Sequence, residues 1–297
     1  MSGKGRMISS MVIFGTIGVF VRYLPFASSV IALVRGVVGT LFLIAIGLIS
    51  GNQVSGTAIR KNFLLLVLSG AAIGFNWILL FESYRYTTVA VATLCYYLAP
   101  VFVTLLSPLL LKERLTGRKL ACVAAALAGM VFISGVLDTS ARTENSPVGI
   151  LFGCGAAVLY ASVILMNKFL KDISSNDSTV MQLLSAAAVL FPYVLATERI
   201  DMETVTLPAV LLLLFVGIVH TGIAYRLYFS AVSALDGQTI ALLSYVDPVV
   251  AILLSAVILK EPLDFFSVIG AVLILGSAIA GEFAAKDRQS AGSGSDR

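Results

Sequence analysis

The sequence contains one histidine and three cysteines in 297 residues, and it is nearly as poor in charge. Asp, Glu, Lys and Arg make up 12% of it, against about 25% in soluble domains. So few histidines and cysteines argue against a metal centre or a histidine-based catalytic cluster, since either needs several such groups converging at fixed spacing. Cys95, Cys122 and Cys154 all fall within apolar runs, where a thiol behaves as a small hydrophobe, so neither a disulfide nor a metal site is expected. A G-x-x-x-x-G-K-[ST] phosphate loop is missing, which leaves gradients or exchange as the energy source for any transport. No stretch between apolar runs is long enough for a soluble catalytic domain. Enzymatic activity and a cofactor are therefore not expected.

What fills the chain instead is apolar sequence. Hydrophobic residues account for 59% of it and the mean hydropathy is +1.00, as in an integral membrane protein. A bilayer core about 30 Å thick needs about 20 apolar residues per helix. Runs of that length, read against charge and turn residues, predict ten spans at about 7–24, 29–49, 63–84, 88–111, 118–136, 148–168, 178–197, 208–231, 238–259 and 265–283. The first run follows Lys4 and Arg6 like a signal peptide. It ends in Val21-Arg22-Tyr23-Leu24-Pro25 without a small-residue cleavage site, so it is read as a retained span. With a cytoplasmic N-terminus the inner segments carry 13 of the 20 Lys and Arg, and the positive-inside rule then puts both termini in the cytoplasm. The same bias accounts for a sequence pI near 9.0 without a nucleic-acid partner. The partners expected are the lipid bilayer, a small-molecule substrate and a coupling proton. The compartment is a cell (inner) membrane, and a monomer is the simplest assembly.

The strongest pattern is a repeat. Residues 97–113 read YLAPVFVTLLSPLLLKE and residues 245–261, displaced by 148, read YVDPVVAILLSAVILKE; nine of 17 positions agree without a gap. The agreement includes a Tyr, a Pro, a Ser and a Lys-Glu pair, which chance matching of Leu and Val does not supply. The displacement is almost half the chain, so the repeat accounts for the whole protein. Five spans per half is odd, so the second copy crosses the membrane in the opposite sense. The expected fold class is an all-α integral membrane protein with ten transmembrane helices as two inverted five-helix repeats. It has a tail at 1–6, repeats at 7–137 and 148–283, an extracytoplasmic linker at 138–147 and a disordered cytoplasmic tail at 284–297. Inverted repeats suit a secondary transporter, whose halves rock about a shared midplane site. Gly149 with Gly153 and Ala125 with Gly129 would let helices approach closely, although glycine is also simply tolerated in membrane helices.

Ten short-looped spans whose fourth and ninth read Pro, eleven residues, Lys-Glu resemble the drug/metabolite transporter superfamily, and within it the EamA-type carriers. Ala224-Tyr225 in span eight, Pro248, Glu261 and the run from Gly270 to Gly276 add to the likeness, which covers roughly residues 7 to 283. The resemblance implies alternating access around a central cavity lined mainly by spans one, three, four, six, eight and nine. It also implies a small-metabolite cargo: members of the family export amino acids and other metabolites, and relatives handle choline, sugars or nucleotide sugars.

Polar groups at mid-span are the candidates for a substrate path, since in hydrocarbon they cost free energy unless paired or wetted. Asp247 is the sharpest. Pro248 beside it removes a helical hydrogen bond and leaves the Ser244 carbonyl, one turn back, able to accept from another group. Asp247 is read as a site for a substrate ammonium or a transported proton, or else as a structural acid paired with a neighbouring helix. His220 could share a proton with Asp247 or be a packing residue. Glu82, three residues before Arg85, is read first as a surface pair and second as a proton-coupling group. Arg35 and Arg226 lie within spans and have stems long enough to snorkel.

Trp77, Tyr96, Tyr97, Tyr160 and Tyr245 lie deeper than the interface anchors Tyr23, Tyr84, Tyr86 and Tyr193. They offer faces and hydroxyls to an aromatic or cationic substrate, or pack in the core. Asn76 could orient a carboxylate or amine. Pro100 and Pro248 are expected to loosen spans four and nine as hinges, and Lys112-Glu113 and Lys260-Glu261 read as structural helix ends more than as gates. The expected function is export of amino acids, aromatic or otherwise amphipathic, with choline-like amines, sugars or drugs as the alternative.

Overall fold

The computed structural model describes residues 2–50, 55–110, 117–133, 146–199, 205–232, 234–235, 243–261 and 263–292. All regular structure among them is helical. The elements are α1 (Gly3–Arg22), α2 (Ser28–Ile49), α3 (Gly56–Lys61), α4 (Phe63–Tyr86), α5 (Val89–Tyr96), α6 (Ala99–Leu110), α7 (Gly117–Ile133), α8 (Pro147–Asn167), α9 (Ser175–Thr197), α10 (Leu207–Phe215), a π-helical segment (Val216–Ile223), α11 (Ala224–Val232), α12 (Val246–Ile258) and α13 (Phe265–Gly292). Among the described residues seven helical segments are long and apolar enough to cross a bilayer: α1, α2, α4, α5 with α6, α8, α9 and the run from α10 into α11. Three shorter apolar helices lie in α7, α12 and α13.

A bilayer offers no water to the orphan N–H groups of a helix start, and the short connections supply hydroxyls instead. Thr88 accepts from the Val91 N–H at 3.1 Å, Ser174 from the Asp177 N–H at 3.0 Å, and Ser146, next to Pro147 in the first turn, from the Val148 N–H at 3.2 Å. One apolar cluster joins α1, α2, α4, α9 and the π-helical segment through Ile17, Ile31, Phe81, Leu190 and Val216. A second joins α5 to α8 with α13 through Leu94, Val101, Ala126, Ala157 and Ile274. The outward surface is apolar too, with Leu48, Leu109, Val257 and Phe265 exposed, as contact with lipid requires. Because lipid is as apolar as the core, close packing holds such helices together. A Cβ at Gly153 would lie 2.8 Å from that of Cys95, and one at Gly129 would lie 2.8 Å from the Gly270 carbonyl.

Helix limits differ from the sequence reading at both ends. Where tails are expected at 1–6 and 284–297, α1 starts at Gly3 with Ser2 capping the Gly5 N–H at 3.2 Å, and α13 continues to Gly292. The last stretch is rich in Ala, Lys, Arg and Gln, all good helix formers. Span four is interrupted: α5 ends at Tyr96, Tyr97 and Leu98 turn, and α6 begins at Ala99. The second copy of the repeat breaks at the corresponding place, with Leu243 and Ser244 helical, Tyr245 in a turn and α12 starting at Val246. Pro100 and Pro248 have no N–H for the residues four back, Tyr96 and Ser244, so each proline stands just inside a new helix. Lys112, Glu113, most of 138–147 and most of the 233–237 connection lie outside the described residues.

Candidate functional site

The two helix breaks face one another. The Tyr97 hydroxyl donates to Asp247 Oδ2 at 2.9 Å, and the Ser244 carbonyl is a second acceptor at 3.2 Å. That carbonyl is the one Pro248 leaves without its helical donor. The Tyr97 and Tyr245 rings are 6.4 Å apart. Tyr96 stands edge-on to Tyr97 at 6.2 Å and stacks on Tyr160 of α8 at 5.1 Å. Tyr160, Tyr96, Tyr97 and Tyr245 thus form one continuous aromatic surface around Asp247. Asp247, Tyr96, Tyr97 and Tyr245 are half-buried and Tyr160 is 39% exposed. Helix α1 passes directly beside the second break: a Cβ at Gly15 would lie 2.6 Å from the Asp247 carbonyl.

Arg35, expected to snorkel, is 4% exposed. It lies about 10 Å into α2 by helical rise, on a face covered by protein and not by lipid. Its Nε donates to Thr221 Oγ1 at 2.7 Å, and its guanidinium carbon sits 4.3 Å over the Trp77 ring and 5.7 Å from that of Phe81. Gly39, one turn further along α2, makes room for Thr221, because a Cβ there would lie 2.7 Å from the Thr221 Cβ. The one signal in the sequence for this role is an arginine far from either end of its span.

His220 is fully buried, with Nε2 2.8 Å from Thr16 Oγ1. Thr16 Oγ1 also donates to the Ile13 carbonyl at 2.7 Å, an arrangement in which Oγ1 accepts from Nε2. Nδ1 has no hydrogen-bond partner among the described residues. No hydrogen bond joins His220 to Asp247 among the described residues: Nε2 meets Thr16, and Asp247 Oδ2 accepts from Tyr97.

The remaining candidates make contacts within the protein. Asn76 is 2% exposed and donates from Nδ2 to the Ala156 carbonyl at 2.5 Å, which fastens α4 to α8 and uses the amide expected to meet a substrate. Glu82 lies 3.8 Å from Arg85, the i,i+3 pair expected of it. Tyr84, read as an interface anchor, is buried and stacks with Phe81 at 6.2 Å, whereas Tyr23 and Tyr86 are exposed. Arg226 is exposed, as snorkelling requires. Cys95 of α5 and Cys154 of α8 lie beside one another. No group of His, Cys, Asp and Glu among the described residues could hold a metal ion.

Each end of the bundle carries its own polar latch; α4, with 24 residues, spans about 36 Å between them. Where α1, α4 and α12 end, a cavity of about 540 Å³ is lined by Arg22, Arg85, Thr87, Lys260 and Glu261 among others. Glu261 is 8% exposed and accepts from Arg22 Nη2 at 2.8 Å, from the Val89 N–H at 2.9 Å and from the Ser255 hydroxyl. Lys260 has φ 55°, a left-handed turn that swings Glu261 back toward α12. At the opposite end Lys61 pairs with Asp172 at 2.5 Å, and Asn62 donates to and accepts from the Lys171 backbone. The Lys61 ammonium holds the Asp172 carboxyl below the usual carboxylate range.

The sequence profile of the EamA-like transporter family matches residues 2–135 and again residues 147–280. The chain belongs to the EamA-like transporter family. YxxF of Bacillus subtilis (strain 168), an uncharacterized transporter, is 30% identical over 269 residues, 91% of this chain and 86% of YxxF. A protein of Escherichia coli (strain K12) named probable amino-acid metabolite efflux pump is 24% identical over 183 residues, 59% of this chain and 60% of that protein. The EamA family groups this chain with transporters of the drug/metabolite superfamily, and not with enzymes. A crystal structure 20% identical in sequence covers 96% of this chain and 98% of its own with a TM-score of 0.66, which shows a shared fold. Family and apolar helices together make this a multi-pass membrane protein.

Proposed function

We propose that this EamA-family protein is a secondary active carrier of the cell (inner) membrane that exports amino acids, aromatic or otherwise amphipathic, by alternating access. The reading takes the ten apolar segments as ten spans in two inverted repeats with both termini cytoplasmic, so that the Glu261 latch closes the outer end and the Lys61–Asp172 latch lies at the inner one. The observation that carries it is the Tyr97–Asp247 hydrogen bond, which ties together the equivalent breaks of the two halves. A polar pair shared between two halves is remade when they rock, and broken helices at mid-depth are where carriers of this construction hold cargo. An acid beside tyrosine faces suits an ammonium with an apolar side chain. On this reading Asp247, Tyr96, Tyr97, Tyr160, Tyr245 and Trp77 contact substrate, and Pro100 and Pro248 mark the moving breaks. The name of the Escherichia coli relative agrees with amino-acid cargo.

Counterflow in proteoliposomes tests it. Vesicles loaded with unlabelled amino acids are expected to accumulate trace labelled amino acid saturably, and Asp247→Asn to reduce this. Exchange of choline alone would replace the cargo with quaternary amines. A flux that neither saturates nor exchanges would rule out a carrier.

A further inference from the structure

We propose that Arg35 is an anion-binding group of the transport site, so that the cargo presents a carboxylate to Arg35 as well as an amine to Asp247. A guanidinium has five N–H donors, and among the described residues one is engaged, by Thr221. The ion pairs among the described residues are Arg22–Glu261, Lys61–Asp172 and Arg85–Glu82; Arg35 has no carboxylate partner there. Burying a cation without a counter-charge is costly, and a charge kept inside a membrane bundle is a functional site by default. Trp77 and Phe81 lie against the guanidinium and Thr221 fixes one side, so its terminal nitrogens are held in one orientation. A planar fork of that kind matches a carboxylate through two parallel hydrogen bonds.

The surroundings connect Arg35 to the acid. Arg35 bonds to Thr221, the adjacent His220 meets Thr16 of α1, and the preceding Gly15 packs against the Asp247 carbonyl. A buried cation and an acid joined by this short chain of contacts complement a zwitterion. This arrangement favours amino acids over simple amines, choline or sugars. The inference builds on the carrier reading for its cargo, but the anion site can be tested without transport.

Trp77 is the only tryptophan in the chain and lies directly under Arg35, so its emission reports on this site alone when tyrosine is not excited. Purified protein is titrated with a mixture of amino acids other than tryptophan and tyrosine, and separately with the same amino acids as carboxamides. Both mixtures also compete in counterflow. The expected result is a saturable emission change with the acids and none with the carboxamides at equal concentration. Arg35→Gln weakens the response by about 30-fold or more, and Arg35→Lys, which keeps the charge without the fork, falls between.

Equal responses to acids and carboxamides, or wild-type behaviour of Arg35→Gln, would overturn the anion site. Should Arg35→Gln not fold, the wild-type comparison decides alone. Counterflow that carboxamides inhibit as well as acids would sink the anion site and leave the carrier standing. A carboxylate-dependent emission change without any counterflow would do the reverse.

Discussion

The Tyr97 hydroxyl and the Asp247 carboxylate, 150 residues apart, meet at 2.9 Å between two helices interrupted at equivalent points of an internal repeat. Removing the donor and leaving its acceptor unpaired costs about 1–3 kcal/mol. Tyr97→Phe is therefore expected to lower counterflow by roughly 10- to 100-fold, and Asp247→Asn by at least as much. The double variant should be no worse than the poorer single one, because both remove the same contact. Losses that simply add would show that the two residues act separately.

Glu261 and Arg22 form an ion pair whose two members are not equivalent. Glu261 is buried and also accepts from the Val89 N–H and the Ser255 hydroxyl, while the Arg22 side chain is 33% exposed. Glu261→Ala is expected to destabilise by about 3–5 kcal/mol, because it leaves buried donors without an acceptor. Arg22→Ala keeps the Val89 and Ser255 donors on Glu261 and should cost less, about 1–3 kcal/mol. Thermal unfolding in detergent ranks them, and the opposite order would mean that the charge pair matters more than the backbone contact.

Gly39 and Gly47 lie on the same helix in different surroundings. A Cβ at position 39 would overlap Thr221, whereas one at 47 meets nothing within 4 Å. Gly39→Ala is expected to destabilise by about 1–3 kcal/mol and to change Trp77 emission, since Thr221 tethers Arg35 over that ring. Gly47→Ala should be neutral or stabilising by up to about 1 kcal/mol. Identical melting and emission for the two variants would contradict this packing.

Asp172 sets the sign of one pH effect. Its folded carboxyl titrates below the ordinary range because Lys61 is beside it. What the pair contributes is therefore present above the unfolded value of about 3.9 and lost as pH falls through the lowered folded value. Unfolding curves of wild type and Asp172→Asn should differ by a constant small amount between pH 6 and 8 and converge only in acid. The difference should also shrink with salt, because the pair is exposed. A gap that varied between pH 6 and 8 would point to another group.

The two prolines of the repeat at 97–113 and 245–261 mark spans four and nine as loosened, and Pro248 identifies the Ser244 carbonyl that takes a donor; the breaks at Tyr97 and Tyr245 themselves belong to the fold. Arg35 and His220 were harder to read. Nothing local distinguishes an arginine that snorkels from one enclosed by Trp77, Phe81 and Thr221, and only the fold brings Thr16 to His220 Nε2. Asn76 invited a substrate role by standing next to Trp77, yet its amide is used by the Ala156 carbonyl of another helix. The π-helical turn around His220 has no proline to announce it.

By itself the sequence determined that this is a helical membrane protein of EamA type, with a repeated segment whose prolines, Pro100 and Pro248, loosen the helices that carry them. Those properties follow from run length, repetition and the missing proline N–H, all of which belong to the chain locally. Tertiary structure decided which polar groups meet: Tyr97 with Asp247, Glu261 with Arg22 and Val89, Arg35 with Thr221 and Trp77. A helix turns about 100° per residue, so the neighbour a side chain finds depends on the rotation and packing of helices that are distant in sequence.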